Sequence, residues 1–199
     1  MGEGVRAPAS EGPVPLARSL PNNTKPKGTN MAVAVGIVLG SASDWPEVEL
    51  AALLLKDWGI PVEVVVASAH RAPGKVQAYA RDAAGRGIKV IIGVAGMAAH
   101  LAGVLAASTT LPVIGVPMPG SHLNGLDSLL STVQMPPGVP VATMAIGEAG
   151  AKNAAIFAAQ ILALHDPRLQ EVLAQHKRDL ARQVAGQGEQ IPEEYRPKE

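Results

Sequence analysis

The chain has 199 residues, of which 17 are Lys or Arg and 17 are Asp or Glu, so its formal net charge at pH 7 is zero. This length suits one well-buried α/β domain and is short for two. The balanced charge argues against nucleic-acid binding, which needs an excess of cations on one surface. Because the chain has no cysteine, disulfides, thiolate metal sites and cysteine nucleophiles are excluded, and the cytoplasm is the expected location.

The two ends of the chain differ in composition from its middle. Residues 1–30 contain five prolines and no apolar stretch of signal-peptide length, so we predict a disordered leader there, without catalytic residues. Residues 185–199 are predicted to form a polar C-terminal tail. The folded domain is therefore expected over residues 31–184.

Five short apolar runs, rich in β-branched residues, predict five strands. Each run is almost continuously apolar, which is typical of parallel strands that are covered on both faces. The predicted strands are Val33–Leu39, Val62–Ala67, Val90–Val94, Val113–Val116 and Val141–Ile146. Helical stretches separate the strands, so the pattern predicts repeated βαβ units and a parallel sheet.

The segments between the strands show helical periodicity. The first two helices are predicted to start near Pro46 and Pro73 and to end before Gly59 and Gly85, because apolar residues recur there at helical spacing. Further helices are predicted over Ala99–Ala107, Leu126–Gln134, Ala149–Leu164 and Arg168–Val184. The alanine-rich fifth helix is expected to be buried on more than one side. The last helix has no further strand to cover, so we expect it to pack on neighbouring subunits of a homo-oligomer.

One apolar stretch approaches the length of a membrane span. Val90 to Ala107 is apolar except for His100. Gly93, Gly96 and Gly103 and the imidazole in the middle argue against a span, and no aromatic belt flanks it. We therefore interpret this stretch as a strand, a glycine loop and a helix, and we expect no membrane association.

Polar segments follow four of the predicted strands at their carboxyl ends. The segments are Gly40–Asp44, Ser68–Pro73, Gly96–His100 and Pro119–Asn124. The carboxyl ends of neighbouring parallel strands meet in one crevice, so we expect these segments to face the same ligand. Together they offer hydroxyls, a carboxylate, an imidazole and a guanidinium. Such a set can hold a phosphorylated ligand and move a proton on it.

The first segment admits two interpretations. Ser41, Ser43 and Asp44 are residue types that cap helices. Alternatively, a glycine turn and a helix N-terminus form an anion site, in which the serine hydroxyls assist and Asp44 binds a sugar hydroxyl. Both hold if one serine caps the helix and the other contacts the ligand. The segment has neither Walker spacing nor a G-x-G-x-x-G pattern, so alone it is a weak phosphate motif.

His70 is the candidate general acid and base, because it follows a buried strand and an imidazole titrates near neutral pH. Arg71 is the candidate phosphate ligand, and the alternative is a surface ion pair. His100 either bonds a backbone carbonyl at the start of its helix or contacts the ligand.

The remaining histidines carry no catalytic prediction. His122 is expected to be exposed or to line an interface, and His165 and His176 are expected on solvated helical surfaces. No pair of histidines or carboxylates has the spacing of a zinc or two-metal site, so no catalytic metal is predicted.

Five short segments, taken together, carry a family signal. They are Gly40–Trp45, Ser68–Pro73, Ala98–Leu101, Leu126–Leu129 and Val133–Pro136. In order and spacing they closely resemble the PurE family, over roughly Val33 to Val184. Family members of this type are N5-carboxyaminoimidazole ribonucleotide mutases of purine biosynthesis.

The resemblance implies a flavodoxin-like, three-layer αβα sandwich with a parallel sheet, assembled into an octamer with its sites at subunit contacts. It also implies that a carboxylate moves from the exocyclic nitrogen to ring C4 of aminoimidazole ribonucleotide, through carbon dioxide held in a closed site, without metal or cofactor. A transient contact with the ATP-dependent synthetase that makes the substrate is among the expected partnerships.

The resemblance also implies a role for each site residue. His70 is the acid and base, Ser41, Ser43 and Arg71 hold the phosphate, and Asp44 holds the ribose. The backbone from Gly96 to Ala99 lines the carbon dioxide pocket. The expected substrate-binding set is completed by Ser68, Gly96, Ala98 and His100.

Some positions depart from the family pattern. Met97 stands where relatives often have glycine, and Ala102 stands where relatives have proline, so we expect altered loop geometry near the bound gas. His122 stands where relatives usually have a small or a different polar residue.

Three alternatives to the mutase stay open. The first is a direct aminoimidazole ribonucleotide carboxylase, although that branch tends to carry lysine where this chain has Arg71. The second is a non-enzymatic, flavodoxin-like nucleotide-binding module, because a fold alone does not determine activity. The third is a phosphosugar isomerase, which would use the same phosphate and histidine chemistry.

Overall fold

The computed structural model describes residues 32–188 and 190–196, so the predicted leader lies outside the described residues. Five parallel strands form one sheet in the order β2-β1-β3-β4-β5. The strands are β1 (Val35–Leu39), β2 (Val62–Val66), β3 (Val90–Gly96), β4 (Val113–Met118) and β5 (Ala142–Thr143). The helices are α1 (Trp45–Asp57), α2 (Pro73–Ala83), α3 (Leu101–Ala106), α4 (Leu126–Val133), α5 (Glu148–Ala163) and α6 (Pro167–Gly188). A 3-10 turn at Ala42–Asp44 precedes α1.

Helices cover both faces of the sheet. Because successive residues of a strand point to opposite faces, each strand contributes side chains to two cores. Ile37 and Leu39 of β1 belong to the core that α1 and α5 complete. Val38 belongs to the opposite core, with residues of α2 and α3. These layers confirm the predicted three-layer αβα sandwich, and the strand order is that of flavodoxin-like sheets.

Small residues let the helices approach the sheet and one another closely. Seven small residues of α5 are buried, which agrees with the prediction that this helix is covered on more than one side. At Gly150 an added Cβ would overlap the carbonyl oxygen of Ala145. At Gly115 of β4 an added Cβ would overlap the methyl group of Thr132 on α4. Both glycines are therefore required by packing rather than by backbone conformation.

The strand predicted over Val141–Ile146 is wrong in length, because β5 is an edge strand of two residues. Beyond β5 the chain stays bonded to β4 irregularly, through Met144 N to Gly115 O (2.9 Å) and Gly147 N to Pro117 O (2.9 Å). These bonds satisfy backbone groups of β4 without a regular ladder.

Two predictions about exposure are also corrected. The β2 strand is not covered on both faces: it lies at the sheet edge, and Val64 and Val66 are 38% and 44% exposed. His176 does not lie on a fully solvated surface, because its ring packs edge-on against Trp58 with the ring centres 5.3 Å apart. His165 is exposed, as predicted.

The C-terminal helix is longer than predicted. Helix α6 continues to Gly188, four residues beyond the predicted end at Val184. Its first turn packs on the domain through Leu169, and the Arg168 guanidinium donates a hydrogen bond of 2.7 Å to Trp58 O. Farther along, Leu180 and Val184 are exposed in the single chain.

The apolar run that begins at Val90 is divided between β3 and α3, as predicted. Within residues 32–188 and 190–196, the structure contains no helix with the length and hydropathy of a membrane span.

Candidate functional site

A cavity of about 540 Å³ lies at the carboxyl ends of β1, β2, β3 and β4. It brings together all nine residues that the sequence analysis singled out, whose roles in binding and catalysis stay predictions. Those lining residues are Ser41, Ser43, Asp44, Ser68, His70, Arg71, Gly96, Ala98 and His100. The cavity is also lined by Gly40, Ala69, Ala95, Met97, Leu101, Met118 and Gly120.

The serines after β1 are held by a hydrogen-bonded turn. Ser41 Oγ accepts a hydrogen bond from Ser43 N (3.3 Å) and another from Ser43 Oγ (2.8 Å). Ser41 therefore caps the 3-10 turn, which is the first of the two sequence interpretations. Both residues also line the cavity, so the second interpretation is not excluded by the first.

Arg71 is oriented across the ends of two neighbouring strands. Its guanidinium donates to Gly40 O after β1 (3.3 Å) and to Ser68 Oγ after β2 (3.4 Å), and its own backbone N–H also donates to that hydroxyl (3.2 Å). In the described part of the chain Arg71 forms no ion pair with a carboxylate, unlike the alternative raised from the sequence. Its charge is thus available to an anion in the cavity.

His70 and His100 form a pair that the sequence analysis did not foresee. His70 Nε2 lies 2.8 Å from His100 Nδ1, and the rings meet edge to face with centres 4.9 Å apart. One of these nitrogens donates and the other accepts, so the tautomer of one ring fixes that of the other. His100 therefore contacts a side chain, rather than the backbone carbonyl that one interpretation assigned to it.

The loop from β3 to α3 brings His100 to this position through tight turns. Met97 has a left-handed backbone with φ of 56°. Ala99 N donates to Met97 O (2.9 Å), and His100 N donates to Ala98 O (2.8 Å). These turns shorten α3, which starts at Leu101 rather than at the predicted Ala99. Ala99 itself is buried and does not line the cavity, in contrast to the expectation for residues 96–99.

Asp44 lies half-buried at the start of α1 and makes no side-chain cap. Burial raises the pKa of its carboxyl above the ordinary value, and a backbone hydrogen bond at Ser41 offsets part of that change. The free energy of unfolding is consequently lower when Asp44 is ionised than when it is neutral.

The Asp44→Asn variant is therefore expected to be more stable than the parent protein at neutral pH. Because the folded-state pKa lies above the unfolded one, the parent loses stability as the pH rises through that interval. The advantage of the variant should shrink as the pH falls toward the ordinary pKa of the carboxyl. Urea unfolding at several pH values measures this difference, and a variant that is less stable at neutral pH would contradict the assignment.

Three cavity residues were missed by the sequence analysis. Leu101 and Met118 are almost fully buried beneath the cavity, and Ala95 is half-buried near the end of β3. The rule that selected the polar segments also covers Met118, which is the last residue of β4. The search for polar residues alone passed over it.

Outside this cavity we considered a second cavity, His122 and possible metal-binding clusters. A second, more open cavity of about 430 Å³ shares His100 with the first and is lined by Val104, Leu130 and Met135 among others. His122 is exposed, as predicted. Over the described ranges, no group of three or more His, Asp or Glu residues is placed to hold a metal ion.

Comparisons with known proteins agree with the family resemblance seen in the sequence. The family model described as AIR carboxylase matches residues 34–183. A Pseudomonas aeruginosa protein named N5-carboxyaminoimidazole ribonucleotide mutase is 54% identical over 147 residues, covering 74% of this chain and 90% of its own. A Bacillus subtilis protein of the same name is 51% identical over 161 residues, covering 81% and 99%. The crystal structure of Treponema denticola PurE superposes with a TM-score of 0.72 at 26% identity, covering 80% and 98%.

Proposed function

The chain belongs to the AIR carboxylase family, and from that premise we propose that it is an N5-carboxyaminoimidazole ribonucleotide mutase. It converts N5-carboxyaminoimidazole ribonucleotide into 4-carboxy-5-aminoimidazole ribonucleotide, a step of purine biosynthesis. The observation that carries the proposal is the single cavity in which His70, Arg71 and the serines after β1 meet.

The phosphate is held at the ends of β1 and β2. Arg71 is positioned there by neutral oxygen acceptors, so its positive charge can pair with a phosphate. The hydroxyls of Ser41 and Ser43 line the same wall and donate to phosphate oxygens once they turn from each other. Asp44 accepts a hydrogen bond from a ribose hydroxyl.

His70 carries the proton that the rearrangement requires. Cleavage of the bond between the exocyclic nitrogen and the carboxylate carbon releases carbon dioxide, and His70 donates a proton to that nitrogen. Ring C4 then attacks carbon dioxide to form the new carbon–carbon bond, and His70 removes the C4 proton. The net change moves one carboxylate and returns the histidine to its starting state.

The apolar part of the cavity retains the carbon dioxide. The cavity that contains the His70 and His100 pair is also lined by four residues without polar side-chain groups, Ala95, Ala98, Leu101 and Met118. A wall of this kind excludes water and keeps a neutral, weakly bound gas beside C4. His100 acts as a positioning residue, because its Nδ1 fixes the orientation of the His70 ring.

Assembly is part of the proposal. The chain forms a homo-octamer in the cytoplasm and contacts the ATP-dependent synthetase that supplies its labile substrate. Exposed apolar residues support assembly, because such surface is usually covered in the functional state. They include Leu126, Leu130 and Val133 at helical spacing on α4, and Leu180 and Val184 on α6. Light scattering is expected to give eight times the chain mass of 20.4 kDa.

The function is tested by comparing two substrates on the purified full chain. N5-carboxyaminoimidazole ribonucleotide, generated in situ, is expected to be converted to the 4-carboxy product without ATP. Aminoimidazole ribonucleotide with bicarbonate is expected to react far more slowly. The reverse preference would assign the chain to the direct carboxylases, and binding without turnover on either substrate would assign it to the non-enzymatic modules.

Replacement of Arg71 by lysine is expected to raise KM by about tenfold or more, because a guanidinium fork bonds a phosphate at two points and an ammonium does not. Steady-state kinetics on the carbamate substrate measure the change. Arg81→Lys is the matched control, because Arg81 is exposed on α2 and does not line the cavity. An unchanged KM for Arg71→Lys would remove Arg71 from the phosphate site.

A further inference from the structure

Met97 combines two unfavourable properties at the rim of the cavity. Its φ of 56° lies in the left-handed region, which residues other than glycine rarely adopt. Its side chain is also 63% exposed, whereas Leu101 and Met118 of the same cavity are buried. A large apolar side chain in water at a strained position contributes little to the folded chain on its own.

The surrounding structure imposes this backbone conformation. On one side, Gly96 is paired with Met118 in the sheet, and on the other, Leu101 anchors α3 in the core. The two turns between them bring His100 to His70. Glycine would satisfy the same geometry without strain, so the backbone does not explain a methionine at this position.

We propose that Met97 is a ligand-covering residue, whose side chain folds over the base of the bound nucleotide beside His70. This inference rests on the proposed mutase function. The phosphate-binding groups lie at the ends of β1 and β2, so the base extends toward the β3 loop, where the cavity is apolar. An unbranched thioether adapts its shape readily and makes favourable contacts with aromatic rings. Met97 thus contributes to affinity and to the choice of base.

The kinetics of two variants separate the effect of the Met97 side chain from the effect of its left-handed backbone. Met97→Ala removes the thioether but keeps a Cβ at positive φ, whereas Met97→Gly removes both. We expect KM for the carbamate substrate to rise about tenfold in each, with a smaller effect on kcat, because a covering contact is made in the ground state as well as in the transition state. We also expect Met97→Gly to unfold at a higher temperature than Met97→Ala. Leu164→Ala, at an exposed leucine outside the cavity, is the control.

The rate at which Met97 is oxidised tests directly whether its side chain contacts the bound nucleotide. Mild hydrogen peroxide should convert Met97 of the wild-type protein to its sulfoxide, and saturating aminoimidazole ribonucleotide should slow this about fivefold or more. Met135, which lines only the second cavity, serves as the internal reference in peptide mass spectrometry.

Three outcomes decide between the inference and the function on which it rests. If the wild type converts the carbamate substrate but Met97 oxidises equally with and without nucleotide, or KM is unchanged in Met97→Ala, the inference is wrong and the function stands. If Met97 resists oxidation in the free protein, another chain covers it, which also contradicts the inference. If the wild type has no mutase activity, the function itself fails.

Discussion

His70→Asn is expected to lower kcat on the carbamate substrate by a factor of about a hundred to ten thousand, because a positioned acid and base contributes about that much to a proton transfer. The amide of asparagine keeps the polarity of the ring but does not exchange a proton near neutral pH. Nucleotide affinity should stay within a few-fold of the parent value, since the phosphate-binding groups lie on other residues. Single-turnover kinetics and calorimetric titration with aminoimidazole ribonucleotide measure the two quantities separately.

The matched control for this variant is His122→Asn. His122 is exposed in the loop after β4 and does not line the cavity. The same change of side chain should therefore leave kcat close to that of the parent. Retained turnover in His70→Asn would refute the catalytic role of His70, and comparable losses in both variants would indicate a general effect on the fold.

Gly150→Ala is expected to destabilise the domain by about 3 kcal/mol or to prevent folding, because overpacking against backbone cannot be relieved by a side-chain rotation. An added Cβ there overlaps the carbonyl oxygen of Ala145, and α5 packs against both α1 and the sheet. Urea unfolding at fixed protein concentration measures the effect, and accumulation of the variant in inclusion bodies is scored as failure to fold.

The same substitution at Gly186 is expected to raise the free energy of unfolding rather than lower it. Gly186 lies in α6, and apart from its chain neighbours and the backbone of its own helix nothing lies within 4 Å of the place where its Cβ would be. Alanine is favoured over glycine in an exposed helix by about 0.5–1 kcal/mol, so Gly186→Ala should stabilise α6. Equal effects at the two positions would contradict the packing argument.

The sequence predicted the architecture well where hydrophobic periodicity was strong. The helical spacing of apolar residues after Pro46 predicted α1, and the structure buries Val48, Ala51, Ala52 and Leu55 on that helix. Edge elements were predicted less well, because their lengths depend on which neighbour pairs with them. The short β5 and the exposed face of β2 both follow from the strand order, which local patterns do not encode.

In the candidate site, too, local sequence patterns predicted some features, whereas features that depend on tertiary contacts were not predicted. The rule that strand ends converge selected polar segments, within which the resemblance to the PurE family completed the nine residues that line one cavity. It did not predict the contact between His70 and His100, because their strands, β2 and β3, are separated by β1 and only the intervening loops bring the rings together. Nor did it predict the left-handed Met97, which is imposed by the elements on either side of the loop.

The cavity draws its walls from segments between Gly40 and Gly120, at the tips of four strands. No fragment of the domain can retain such a site, because losing any strand of the four removes a wall. A nucleotide bound there opposes unfolding of the whole sheet and not merely of a local loop. The heat resistance of the protein should consequently increase with the concentration of its nucleotide ligand.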